Sequence, residues 1–259
     1  TVMAGWRLVF AGLAIAAVLL AGLCWLFAGK RRSRAVPDSE LANEPGSNRN
    51  VIRSRELWLL AFFLFTKYGS QVAFQGLWGA PYIASVYGVS HTAAAAAVTM
   101  VAAGYVVAAP AMGKLADSMA ARGMDIIVAQ RRLLIVTTLV YVMTWAPIVL
   151  APGLLPLSFM YVLLFLMGLS VSSASLVFGI ATSLFPSNVS GLAIGLVNVT
   201  SILGGAAMPP VVGWSIQRLT ATGLQGGAVY SRALGPCLAA AAVSFTLMLM
   251  VRRPKTAEL

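Results

Sequence analysis

Seven apolar stretches, each long enough to cross a bilayer, fill most of this chain. Hydrocarbon offers no partners to backbone N–H and C=O groups, so stretches this long must satisfy them internally, as helices. The spans are expected at about Trp6–Phe27, Leu57–Ile83, Ala93–Met112, Leu133–Leu150, Leu157–Leu184, Gly191–Ile216 and Leu234–Val251. Between the first two lies the polar stretch 30–56, with the basic run Lys30-Arg31-Arg32-Ser33-Arg34, Pro37, Pro45 and Gly46 and no apolar periodicity. It reads as a flexible linker. The fold class is therefore all-α integral membrane, with seven transmembrane helices.

Charge gives the orientation and removes a competing reading. The net charge of +11 would suggest nucleic acid in a soluble protein, but 59% of the residues are hydrophobic and only 10% charged. The basic residues gather in short segments between spans, the positive-inside pattern. With 30–56 placed in the cytoplasm, fourteen of the 18 Lys and Arg fall on that side. Arg7, Arg218 and Arg232 fall opposite, and Lys67 lies within a span. The partner this implies is the lipid bilayer, with no nucleic acid. Cys24 and Cys237 sit toward opposite membrane faces, which forbids a disulfide between them, and no metal-ligand spacing joins them. No nucleophile–base set, phosphate loop or redox cluster is present, so neither an enzyme nor a cofactor is expected. The sequons at Asn188 and Asn198 fall at the cytoplasmic face and within a span, where no oligosaccharide is added.

Lys67, Gln71 and Gln75 are spaced i, i+4, i+8, with Trp78 three further on, and form a polar stripe on the second span. Lys67 lies about ten residues, roughly 15 Å, past Leu57, near mid-membrane in a ~30 Å core. Intramembrane charges usually serve a path or a partner charge. A cavity site, a structural pairing with an acid, and snorkelling to the interface all stand as readings of this lysine. A lysine with two amides suits a small anion. Asn198 is a further candidate contact. Ser170, Ser172, Ser173 and Ser175 beside Gly168, and the pair Gly191 and Gly195, read first as packing faces. His91 reads as a solvated helix end. No Asp or Glu lies inside a span, so no carboxylate proton relay is expected here.

The segment Gly113-Lys114-Leu115-Ala116-Asp117, followed by Arg122, resembles the G-x-L-a-D-r-x-G-r-[RK] loop signature of the major facilitator superfamily, with departures at Ser118, Ala120 and Ala121. Gly5-Trp6-Arg7 resembles the outer edge of that family's helix six. The run from Ser190 through Asn198 to Gly204-Gly205-Ala206 and Pro209 is similar to helix eleven. The resemblance implies helix six at 1–29, the central cytoplasmic loop at 30–56, the C-terminal six-helix bundle at 57–251 and a cytoplasmic tail at 252–259. It further implies alternating access in a bacterial-type inner membrane, a gating role for Gly113, Asp117 and Arg122, and a missing N-terminal helical bundle as partner. With no basic region before its first span, the chain is expected to be part of a longer protein. Gly76–Ser90 looks like bacterial nitrate-type and organic-anion carriers, but Ala93–Met112 lacks the arginine that nitrate carriers hold in helix eight. The expected function is secondary transport of a small solute, anionic by the Lys67 argument. The rivals are a non-transporting scaffold or sensor with the same fold, and one half of a split transporter.

Overall fold

The computed structural model describes residues 2–28 and 47–251, in two units. The basic run, the rest of 29–46 and the tail 252–259 lie outside the described residues. In the first unit, α1 (Val2–Ala28) is a 27-residue helix with the apolar stretch Phe10–Leu26 inside it. At 1.5 Å per residue it is about 40 Å long, enough for a bilayer core.

In the second unit, six helical runs among the described residues are long and apolar enough to span a membrane. The first is built of α3 (Arg55–Ala73), a π-helical turn (Phe74–Trp78) and α4 (Gly79–Tyr87), preceded by the short α2 (Ser47–Arg53). Then come α5 (His91–Ala121), α6 (Ile126–Leu150), and α7 (Leu157–Ser172) with α8 (Ala174–Ser183). The last two runs are α9 (Ser187–Ala221), and α10 (Gly227–Ala233) with α11 (Gly235–Met250).

Two expectations about connections change. The end of the expected linker is helical: α2 buries Val51, and the Trp58 indole donates to the Ile52 carbonyl at 2.7 Å. The expected loop after Met112 is mostly helix. The Gly113–Asp117 signature rides on the last turns of α5, and the connection shrinks to Arg122–Asp125. Ala116 explains this, since it is buried and keeps one face of the extension packed on the apolar interior.

Capping residues set several helix starts. Ser54 accepts from the Leu57 N–H and Ser90 from the Ala93 N–H. The Asp125 carboxylate accepts from the Ile127 and Val128 N–H groups at 2.9 and 3.1 Å. A carboxylate on the orphan N–H groups of a helix start also meets the positive end of its dipole. Asp125→Ala is expected to lower stability by about 1–2 kcal/mol, read as a lower melting temperature in detergent, with Asp125→Asn recovering most of it.

Helix pairing follows a symmetric scheme. The first run of the unit packs on α9 and α11, and the fourth run packs on α5 and α6. These are the same contacts after exchanging the first three runs with the last three, the pattern of an internal repeat. Glycines make the two central crossings. A Cβ on Gly69 would stand 2.7 Å from the Gly204 carbonyl oxygen, and one on Gly204 would collide with the Phe65 carbonyl. In the equivalent pair, a Cβ on Gly104 would collide with the Phe165 carbonyl and one on Gly168 with that of Val101. Backbones touch there because no side chain stands between them. Gly191 and Gly195, expected to form such a face, have open space around them among the described residues.

The repeat extends to the breaks. The π turn starts at Phe74, five residues after Gly69, and the break between α7 and α8 falls at Ser173, five after Gly168. Two apolar clusters fill the interior, one around Phe74, Tyr82, Trp145 and Met160, the other around Leu60, Phe63, Leu134 and Val177. A polar group of Lys67, Ser70, Thr137, Thr138, Ser170 and Ser173 is buried with them.

Candidate functional site

Four of the six runs line a cleft of about 490 Å³. From α3 and the π turn come Leu64, Tyr68, Gln71 and Gln75; from α5, Ala102, Tyr105 and Val106. Val171, Ala174, Ser175 and Phe178 form the wall at the α7–α8 break, and α9 adds Asn198, Ser201 and Ile202. The two glycine crossings thus supply both sides of the cleft: α3 with α9, and α5 with α7.

The structure brings Gln71, Gln75 and Asn198 together on this cleft and leaves Lys67 out of its lining. The reason is helical drift. Each i, i+4 step turns about 40° from the last, so a stripe at i, i+4, i+8 wanders by about 80°. The facing set is instead Leu64, Tyr68, Gln71 and Gln75, which lies within about 60°. Tyr68 takes the place on the cleft that was expected for Lys67, and Trp78 turns away to donate its indole N–H to the Pro209 carbonyl at 3.1 Å.

The cleft presents a few neutral polar groups in a mostly apolar lining. The Gln71 amide N–H donates to Gln75 Oε1 at 2.7 Å, while Gln71 Oε1 is buried and has no hydrogen-bond partner. Ser175 donates back across the break to the Ser172 carbonyl and Ser201 to the Asn198 carbonyl of its own helix, so their hydroxyl lone pairs remain for an incoming donor. A π-helical turn places Gln75, and such turns recur at functional sites because they displace side chains from the regular helical face. Tyr68, Tyr105 and Ser201 are cleft residues that the sequence reading did not single out. The 3.6-residue spacing of Tyr68 with Leu64, Gln71 and Gln75 was the available signal.

Lys67 occupies a second polar site behind the break. It is 1% exposed, which rules out snorkelling. Its Nζ donates to the Ser170 carbonyl at 3.0 Å, Thr138 Oγ1 at 3.2 Å and Ser173 Oγ at 3.3 Å, which uses all three ammonium donors. The Phe63 and Tyr141 rings lie 5.3 and 5.5 Å from it, within cation–π range. Tyr141 also donates to the Lys67 carbonyl at 3.2 Å and shares a 2.8 Å hydrogen bond with Ser70 Oγ. Every one of these partners is neutral, so the pairing with an acid is not made among the described residues.

At the end of α5, Gly113, Asp117 and Arg122 are exposed, with Arg122 at the helix C-cap. No ion pair joins Asp117 to Arg122 among the described residues.

No curated protein matches the sequence. The family model described as Major Facilitator Superfamily matches residues 1–209, well over half of the chain. With its apolar helical runs, its symmetric pairing and a cleft between crossed helices, this chain belongs to the major facilitator superfamily, a family of membrane transporters.

Proposed function

We propose that the protein is a secondary active transporter of the inner membrane that moves a small polar solute by alternating access, with Gln71, Gln75 and Asn198 contacting the solute. The observation that carries this is the unpartnered Gln71 Oε1 beside a cleft of neutral donors and acceptors. A buried acceptor left unpaired costs about 1–3 kcal/mol, which a donor on a bound solute would recover. An anionic solute would be held in this half by amide N–H and phenol O–H donors, since Lys67 contributes no direct contact to the cleft. The remaining contacts would come from a six-helix bundle preceding this one, with residues 57–251 as the second bundle. Gly113, Asp117 and Arg122 would form the cytoplasmic gate.

The test is uptake of a panel of labelled organic and inorganic anions and neutral polar solutes by cells expressing the intact transporter. For whichever solute is carried, Gln71→Leu and Asn198→Leu are each expected to reduce uptake tenfold or more at unchanged membrane abundance. A double variant that retained wild-type uptake and affinity would remove the cleft from the solute path.

A further inference from the structure

The break between α7 and α8 has no proline or glycine at it; the residues are Ser172-Ser173-Ala174, and Ser173 keeps near-helical backbone angles (φ −64°, ψ −12°). One recognised cause of such an interruption is a side chain that inserts into the backbone ladder. Lys67 does this here. Its Nζ takes the Ser170 carbonyl, whose ordinary helical donor would be the N–H of residue 174, and Ser173 Oγ donates to the same carbonyl at 2.7 Å. Past the break the Leu176 N–H bonds back to the Ser173 carbonyl at 3.0 Å, an i→i−3 bond that overwinds the turn. Thr137 donates to Ser173 Oγ at 2.8 Å, and Thr138 accepts from Lys67, so α6 anchors the arrangement from behind. The opposite face of the same segment is the cleft wall, made by Val171, Ala174, Ser175 and Phe178.

We infer that Lys67 is a positioning residue: its ammonium holds the Ser170–Ser173 break open and so sets where the wall residues Ala174, Ser175 and Phe178 stand in the cleft. Removing the ammonium lets the ladder re-form from Ser170 onward. A ladder that returns from the tighter to the regular turn unwinds by about 20° per residue. Ser175 then turns out of the cleft. Methionine is the informative replacement, because it fills a similar volume without a charge, and exchange of a buried ion for apolar volume is often neutral for stability. This separates wall position from fold. The inference takes the cleft of the proposed function as its frame, and the wall geometry can be tested apart from it.

The experiment uses the intact chain in membrane vesicles, with Cys24→Ser and Cys237→Ala and one cysteine introduced at a time. N-ethylmaleimide labelling of Ser175→Cys is expected to slow at least fivefold in Lys67→Met, at an unchanged melting temperature. Labelling of Ser201→Cys, across the cleft on α9, is expected to stay within twofold. An unchanged or faster rate at position 175 overturns the inference, as does an equal fall at both positions, which would mean general collapse. If Lys67→Met does not accumulate, Thr138→Val and Ser173→Ala decide the matter. Each loosens the ammonium and is expected to slow position 175 at least twofold, and no change in either is a negative result. Failure of the labelling changes sinks this inference alone, whereas intact uptake by the Gln71→Leu and Asn198→Leu double variant sinks the transport reading alone.

Discussion

Gly168→Ala is expected to leave little or no folded protein. The added methyl would occupy the space of the Val101 carbonyl oxygen, on a neighbouring helix that can make room only by moving as a body and opening the packing on either side. Overpacking a core commonly costs 1–3 kcal/mol when side chains can yield; here only backbone can, so about 3 kcal/mol or more is expected. That is a large share of the roughly 5–15 kcal/mol available to a folded chain. Gly204→Ala, against the Phe65 carbonyl, is expected to behave alike, as the symmetric pairing requires. Gly191→Ala is the control, because the space beside it is open and alanine is the better helix former. The measurement is monodisperse yield after detergent extraction together with the melting temperature. Wild-type yield for Gly168→Ala would contradict the backbone contact between α5 and α7.

Trp145→Ala carries the second large effect. Trp145 is fully buried and meets the Phe74 ring edge-on at 5.5 Å and the Tyr141 ring at 6.3 Å. Phe74 opens the π turn that carries Gln75, and Tyr141 holds the Lys67 carbonyl. Deleting a buried tryptophan costs about 3–5 kcal/mol, and the cavity left behind would free both neighbours. The expected result is a melting temperature lowered by several degrees and a loss of solute uptake in whatever protein survives. Trp145→Phe keeps one ring in the aromatic column and is expected to recover most of the stability. If the alanine variant transported normally, the π turn would not depend on this column.

Helix type and number were legible because hydrocarbon leaves the backbone one solution for stretches as apolar as Leu133–Leu150. The family was legible from Gly113, Asp117 and Arg122 together with the order of spans. What the sequence hid was rotation about the helix axis. Lys67, Gln71 and Gln75 look like one stripe when counted by fours, yet a helix turns 400° in that step, and Tyr68 is the residue that completes the face. The break at Ser173 was hidden for a different reason. Its cause is a side chain 106 residues earlier, and local propensity holds no trace of it. The helical extension through Ala121 was masked by the polar composition of the signature, which marks the membrane surface rather than the end of the helix.

The glycine crossings have a mechanical consequence. Where two backbones touch at a glycine, no side chain stands at that point to resist a roll of one helix against the other. Gly69 with Gly204, and Gly104 with Gly168, would therefore serve as two fulcrums, one on each side of the cleft, in a transporter that rocks. The arms beyond each fulcrum carry the broken segments, at Phe74–Trp78 on one side and at Ser173 on the other. A small roll at the pivot would become a larger displacement at Gln75 or Ser175, which would change the width of the cleft while both crossings stay shut.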